Sequence, residues 1–190
     1  GAVGNLGQAG AELFRAAGAK LALIDRAADR LSASYPHLVG SSVHVFLTGV
    51  DVAFAESCAA AAERTLAKFG RIDALINTVG AFRGWKPVKE ADPADWSAMF
   101  DANVGTTLNA CRAVIPAMIR QQFGKIVNVA SLAALQGGAG VAAYCASKAA
   151  VVRLTESLSA ELRPQGINVN CVLPGTLDTP QNRKAMPGAD

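Results

Sequence analysis

Short, nearly continuous apolar runs alternate along this chain with longer amphipathic runs that are rich in alanine. The short runs predict strands that are covered on both faces, and the longer runs have the periodicity of helices. The predicted strands are Lys20–Asp25, Val43–Thr48, Ile72–Asn77, Lys125–Ala130 and Ile167–Leu173. The predicted helices are Gln8–Ala17, Ala27–Ser34, Val52–Phe69, Pro93–Gln122 and Val141–Arg163.

Strands that alternate with helices predict right-handed crossovers and a parallel sheet. We therefore predict a single α/β domain over residues 1–190, with a doubly wound, Rossmann-like sheet. Within the fourth helix we expect a bend, because Pro116 lacks an N–H for the helical ladder. A glycine turn that leads into a helix normally follows a strand, but here it stands at Gly1. On this ground we expect the first, central strand and a C-terminal segment to be lacking.

Composition narrows the classes of function. The chain is 51% hydrophobic and 17% charged, with a net charge of +3 spread along the sequence. This pattern disfavours nucleic acid and anionic membranes as partners, and no apolar run is long enough to span a bilayer. The four cysteines are widely separated, which argues against a zinc site or disulfides and favours thiols in a reducing cytoplasm. They are Cys58, Cys111, Cys145 and Cys171. We expect a cytoplasmic protein with no metal.

The first seven residues predict a phosphate-binding turn. Gly1, Gly4 and Gly7 allow a tight turn, and the helix that follows presents free backbone N–H groups at Asn5 and Leu6. Asp25 ends the next apolar run at the distance expected of a carboxylate that accepts from the adenosine ribose, although a helix N-cap is the alternative. Such a carboxylate favours NAD, while the adjacent Arg26 keeps NADP possible. Glycine turns before helices are common, so the motif alone is weak.

Tyr144 and Lys148 lie four residues apart in a predicted helix, which places them on one helical face. A free phenol ionises only near pH ~10, and a nearby ammonium favours its phenolate form. The pair therefore suits a catalytic acid/base. The same spacing is also common between side chains on the surface of a helix.

Together these residues resemble the short-chain dehydrogenase/reductase family, and the resemblance covers essentially the whole chain. Tyr144 and Lys148 match the family's YxxxK motif. Ser131, which follows a predicted strand, matches its catalytic serine, and Asn103 matches its active-site asparagine. The resemblance implies that Ser131 orients the substrate oxygen, Tyr144 exchanges the proton, Lys148 holds the nicotinamide ribose and Asn103 positions a water.

The resemblance also implies further cofactor-binding residues, which lie in three segments that match family motifs. They are Asp51, Val52, Asn77, Val79, Gly80, Pro174, Gly175, Thr176, Leu177 and Thr179, together with Tyr144 and Lys148. The glycines of the turn are spaced GxxGxxG, whereas the single-domain branch of the family usually has GxxxGxG.

Residues 173–187 resemble the corresponding segment of dihydropteridine reductases, a branch that lacks matches to Ser131 and Asn103. The implied function is hydride transfer between NAD(P)(H) and a small carbonyl or alcohol substrate. Two alternatives stay open: a quinonoid dihydropteridine reductase, and a non-catalytic NAD-binding regulatory module. In the family the helices that match Ala94–Met118 and Val141–Leu162 build oligomers, so we expect a homodimer or homotetramer.

Three large apolar residues follow predicted strand ends in the chain. They are Phe82, Trp85 and Leu132. They suit the lining of a substrate pocket and, equally, ordinary loop packing.

Overall fold

The computed structural model describes residues 1–188 and confirms the predicted α/β class. Every predicted strand and helical region is present. The strands are β1 Ala22–Asp25, β2 Val45–Thr48, β3 Ala74–Asn77, β4 Gly124–Val129 and β5 Ile167–Val172. The α-helices are α1 Asn5–Ala16, α2 Ala28–Ser34, α3 Ala55–Phe69, α4 Pro93–Phe100, α5 Thr106–Gln121, α6 Ala142–Leu162 and α7 Pro180–Ala185.

All strand pairs are parallel, and the strands form two sheets, β1-β2 and β3-β4-β5. Within residues 1–188, β1 and β3 do not pair with each other. An apolar slot of about 90 Å³ is lined by residues of both strands, among them Ile24 and Leu75, and by residues of α3 and α5. In the larger sheet Asn77 is level with Asn128, and Val129 is level with Val172. The carboxyl ends of these three strands therefore lie at one edge.

The main core lies between the three-stranded sheet and helices α5 and α6. Ile126 and Ile167 of the sheet are almost fully buried against Met118 of α5 and Leu158 of α6. Gly124 is required where β4 starts, because a Cβ there would overlap the side chain of Met118. This close packing fixes α5 and α6 against the strands whose ends carry the site.

The fourth helical region, predicted as the stretch Pro93–Gln122, is interrupted near its middle. The region divides at a π-helical turn, Asp101–Gly105, and α5 continues as an α-helix through Pro116. Thr107 Oγ1 donates to the carbonyl oxygen of Asn103 at 2.8 Å, which ties the turn to α5. The wider turn directs Asn103 into the interior, where it is buried. A bend at Pro116, which lies inside α5, stays a prediction.

Candidate active site

Lys148 is buried, unlike a residue of a surface pair. Its side chain is only 6% exposed, and Nζ donates to the carbonyl oxygen of Val129 at 3.0 Å, at the end of β4. Nζ also lies 5.9 Å from the centre of the Tyr144 ring. Burial lowers the pKa of Lys148, because desolvation penalises the charged ammonium. The alternative of a solvated helical pair does not fit this environment.

Tyr144 is half-buried near the start of α6. Its ring meets that of Phe82 edge to face, with ring centres 4.9 Å apart. Among residues 1–188 the Tyr144 hydroxyl has no hydrogen-bond partner. The ring is thus supported by its neighbour while its oxygen is free to meet a substrate.

Asn103 joins three parts of the site. Its Oδ1 accepts from the N–H of Ala81 at 2.9 Å, and its Nδ2 donates to the Ala81 carbonyl at 3.1 Å. The same Nδ2 donates to Ser147 Oγ at 3.0 Å, and Ser147 donates to the carbonyl of Tyr144 at 2.8 Å. The loop after β3, the π-helical turn and the first turn of α6 are therefore held together. The sequence did not lead us to predict a role for Ser147. Its position three residues after Tyr144 was the signal that could have indicated one.

Gly80 lies where Asn103 and Lys148 converge. A Cβ on Gly80 would come within 2.9 Å of Asn103 Oδ1 and 3.2 Å of Lys148 Nζ. The absence of a side chain lets the loop after β3 approach both polar groups. The loop thereby brings Val79 and Gly80 to the edge where the resemblance expects the cofactor.

The side chain of Asn77 points into the protein. Its Nδ2 donates to Asn128 Oδ1 at 2.9 Å, and Asn128 in turn donates to Thr155 Oγ1 on α6 at 2.9 Å. All three residues are buried. Because this amide is engaged inside the protein, Asn77 can contribute to a cofactor site through its backbone.

Ser131 follows β4 at the start of a short 3₁₀ turn, Leu132–Ala134. Its Oγ accepts from the N–H of Ala133 at 3.2 Å, which leaves the hydroxyl proton available for donation. The turn packs against α6. The N–H of Leu132 donates to the carbonyl of Pro174 at 3.0 Å, so the segments after β4 and β5 are joined beside the site.

The glycine turn has the shape of a phosphate cradle. A Cβ at Gly7 would collide with the carbonyl oxygen of Gly1, and the N–H of Gly4 donates to that same oxygen at 3.2 Å. Within the described chain no side chain caps the N-terminus of α1, which begins three residues earlier than predicted. The first amides of α1, including those of Asn5 and Leu6, therefore suit the phosphates of a dinucleotide.

Asp25 is buried at the end of β1. Its Oδ1 accepts from the N–H of Ala27 at 3.1 Å and lies 3.5 Å from a guanidinium nitrogen of Arg30. Ala27, not Asp25, is the N-cap of α2. Arg30 was not expected here, because nothing in its spacing from the glycine turn distinguishes it from a surface arginine.

Asp51 and Val52 follow β2, and the structure places them near the end of β1. Arg26 is exposed and lies 3.7 Å from Asp51 Oδ2, while Asp51 Oδ1 accepts from the N–H of Ala53 at 3.0 Å. The carbonyl of Val52 accepts from Asn109 of α5 at 3.2 Å. Both strands of the smaller sheet thus bring their acidic residues to the end expected to receive adenosine.

The segment after β5 leads into α7, which the sequence did not predict. Thr179 caps this helix, since its Oγ1 accepts from the N–H of Asn182 at 3.1 Å. Asn5 Nδ2 donates to Gln181 Oε1 at 2.7 Å and so links the glycine turn to α7. Between Pro174 and Thr179 the residues that precede the exposed Asp178 are exposed too. They are Gly175, Thr176 and Leu177.

Among residues 1–188 no group of three or more His, Cys, Asp or Glu side chains is arranged to hold a metal ion. No helix in that part of the chain has the length and apolarity required to cross a membrane.

Comparison with known sequences gives concordant matches. The profile of the short chain dehydrogenase family matches residues 1–189. An uncharacterized oxidoreductase of Staphylococcus saprophyticus is 35% identical over 181 residues, which are 95% of this chain and 77% of that protein. The 3-oxoacyl-(acyl-carrier-protein) reductase of Thermotoga maritima is 33% identical over 184 residues, 97% of this chain and 74% of the reductase.

Solved structures match over the whole chain. NAD⁺-bound xylitol dehydrogenase has a TM-score of 0.87 at 30% identity, covering 100% of this chain and 75% of that one. A gluconate 5-dehydrogenase from Burkholderia cenocepacia, in complex with NADP and tartrate, has a TM-score of 0.89 at 29% identity, covering 100% of this chain and 73% of that one. The resemblance of residues 173–187 to dihydropteridine reductases is not confirmed by these matches.

Proposed function

The chain belongs to the family of short-chain dehydrogenases and is an NAD(P)-dependent oxidoreductase, and from this premise we propose that Tyr144 is the acid/base of hydride transfer between a carbonyl and an alcohol. One observation carries the proposal. The ammonium of Lys148 is buried beside the Tyr144 ring, while the Tyr144 hydroxyl has no partner within residues 1–188. A buried cation stabilises a phenolate more strongly than an exposed cation, because less water screens the charges.

The residues of the chain divide the work as follows. In the direction of reduction, Tyr144 gives its phenolic proton to the carbonyl oxygen, and Lys148 stabilises the phenolate that remains. Ser131 donates its free hydroxyl proton to the same oxygen and orients it. When bound, the nicotinamide supplies the hydride for the carbonyl carbon. In the direction of oxidation the proton returns to Tyr144.

Asn103 acts as a positioning residue in this scheme. Its amide holds the loop that carries Gly80 and, through Ser147, the backbone of Tyr144. Correct placement of reacting groups is a large part of catalysis, so errors of an ångström are costly. We infer that Asn103 also positions the water that links Lys148 to solvent.

We further propose that the dinucleotide lies between the glycine turn and the segment 174–179. Amides at the start of α1 would hold its phosphates, and Asp25 would accept from the ribose hydroxyls. The carboxylate of Asp25 favours NAD, since it repels a 2′-phosphate. Arg26 opposes this preference only weakly, because it is exposed and lies beside Asp51.

The Tyr144→Phe variant tests the proposal. It removes the proton that is exchanged but keeps the ring contact with Phe82. We expect NADH binding, measured by quenching of protein fluorescence, to stay within about twofold, and turnover to fall by roughly 10²–10⁴-fold, the usual contribution of acid/base catalysis. Turnover like that of the wild type would refute the assignment.

Assembly and location complete the proposal. We propose a homodimer or homotetramer formed through α5 and α6, because Ile119 of α5 and Phe123, which follows the end of that helix, are exposed apolar side chains. Light scattering of the purified protein would show a monomer if this were wrong. The four free thiols suit the cytoplasm, where disulfides are rare.

A further inference from the structure

Three aromatic rings lead from the surface to the proposed acid/base, and we call them the aromatic run. Trp85 is 74% exposed at its outer end. Its ring centre lies 5.8 Å from that of Phe82, and the centre of Phe82 lies 4.9 Å from that of Tyr144. Both contacts are edge to face, the arrangement that aromatic pairs prefer. An apolar surface is therefore continuous with the place where the chemistry is proposed to occur.

The backbone holds Trp85 in this position despite local strain. Its φ is 75°, a left-handed conformation that is unfavourable for a bulky side chain. The N–H of Trp85 donates to the carbonyl of Gly140 at 2.6 Å, and that of Lys86 donates to the same oxygen at 3.2 Å. An exposed ring on a strained backbone is not explained by core packing. Strain of this kind is concentrated at functional sites.

Apolar side chains also stand on the other loops at this edge. Leu132 and Leu135 follow β4 and are exposed, and Leu177 follows β5. A Cβ on Gly175 would lie 3.4 Å from Leu132 Cδ1, so the two loops approach each other. We call Phe82, Trp85, Leu132, Leu135 and Leu177 the apolar rim. Its residues come from loops after three parallel strands, which end at one edge of the sheet.

The two cations beside Trp85 share one carboxylate. Arg83 and Lys86 flank Trp85, and both reach Asp95 of α4, at 3.1 Å and 3.7 Å. Each cation is thus partly neutralised by a carboxylate on a helix. The rim itself offers apolar carbon and few groups that could bind a carboxylate or a row of hydroxyls.

We propose that the substrate carries an apolar body, aromatic or aliphatic, next to its reacting carbon, and that Phe82 and Trp85 bind this body. The inference rests on the proposed function, because it assumes that the reacting carbon comes to Tyr144. A polyol fits less well, since its hydroxyls would lose water without gaining partners on the rim. The binding surface selects a ketone or secondary alcohol with a hydrocarbon substituent.

A substrate pair with a matched variant tests this. Acetophenone and hydroxyacetone both present a ketone, but only acetophenone has an apolar body. We expect the wild type to prefer acetophenone in kcat/KM, and Trp85→Gly to lower the acetophenone-to-hydroxyacetone ratio by about tenfold, the equivalent of ~1.4 kcal/mol. Glycine suits the φ of Trp85, so the variant removes the ring and relieves the backbone strain. Leu13→Ala, at an equally exposed apolar residue of α1, should leave the ratio unchanged.

A second readout does not depend on turnover. The chain has two tryptophans, so Trp96→Phe leaves Trp85 as the sole reporter. Adding 1-phenylethanol should shift or quench its emission, and the same concentration of glycerol should not. An emission that responds equally to both would contradict the proposal.

The outcomes separate the two proposals. Hydride transfer that favours hydroxyacetone, or a ratio unchanged in Trp85→Gly, would overturn the apolar substrate and leave the proposed function standing. If neither NADH nor NADPH supported reduction of either ketone, the proposed function would be overturned, while the emission of Trp85 would still test the apolar site. A variant Trp85→Gly that dissociates an oligomer would show that a second copy covers the rim, and would overturn the inference.

Discussion

Ser147→Ala removes a hydroxyl that the proposed chemistry never touches, and we expect it to impair both stability and turnover. Ser147 is fully buried, accepts from Asn103 Nδ2 at 3.0 Å and donates to the carbonyl of Tyr144 at 2.8 Å. The alanine variant loses both hydrogen bonds. Of the two N–H groups on Asn103 Nδ2, one keeps its bond to Ala81, and the other is left without its partner in a buried place.

The magnitude follows from these contacts. Two buried hydrogen bonds at a net value of about 1 kcal/mol each predict a loss of roughly 2 kcal/mol in the free energy of unfolding. For a chain of this size the melting temperature should fall by about 4–8 °C. We also expect kcat to fall by about tenfold with NADH affinity little changed, because Asn103 and the first turn of α6 lose a shared anchor.

Urea unfolding and steady-state kinetics on the same preparations would measure both effects. Ser157→Ala is the matched control, since Ser157 is an exposed serine on the same helix. Refutation is simple: if the two alanine variants have equal unfolding free energies and equal kcat, Ser147 does not join Asn103 to Tyr144. A loss of stability with unchanged kcat would reduce Ser147 to a structural role.

Four further substitutions test other parts of the structure. Lys148→Met tests the buried ammonium by urea unfolding between pH 7 and 10, where the wild type should gain stability relative to the variant as pH rises. The reason is that the pKa of Lys148 is lowered in the folded protein from its ordinary value of 10.5. Below pH 10.5 the unfolded chain therefore binds more protons than the folded chain. Burial raises the pKa of Tyr35 to about 12, so between pH 10 and 12 the unfolded chain releases this proton while the folded chain keeps it. The wild type should therefore lose stability over this range of pH, and Tyr35→Phe should lack that loss in the same urea titration. Gly80→Ala should lower kcat by at least about tenfold and destabilise the fold by about 1–3 kcal/mol, because the new Cβ would meet Asn103 and Lys148. Kinetics like those of the wild type would show that the loop after β3 does not approach these two side chains closely. Asp25→Ala should move the NADH-to-NADPH ratio of kcat/KM toward NADPH by roughly tenfold, and an unchanged ratio would show that Asp25 does not select the cofactor.

The fold was largely predictable, because the order of its elements follows from apolar periodicity. The start of α1 was predicted at Gln8 and lies at Asn5, since the glycines at positions 1, 4 and 7 interrupt the apolar periodicity from which a helix start is read. The π-helical turn was not predictable for a similar reason. Its residues fit a continuous α-helix, and only the wider turn directs Asn103 inward.

The contacts among the predicted site residues could not be read from the sequence. Tyr144 and Lys148 have the spacing of any helical pair, and only burial distinguishes them from a surface pair. Ser147 has no chemical signature in a helix. Arg30 approaches Asp25 through the turn between β1 and α2, whose path the sequence does not specify.

The contacts around Tyr144 are arranged so that its backbone is fixed while its oxygen is not. Ser147 donates to the carbonyl of Tyr144, and the next residue, Lys148, donates to the carbonyl of Val129. Deeper in the protein, Thr155 ties the same helix to Asn128 of β4. Helix α6 is therefore anchored to one strand at two depths, and neither anchor uses the phenolic hydroxyl. A group that must accept a proton in one direction and return it in the other needs a fixed position and a free oxygen, and within residues 1–188 Tyr144 combines both.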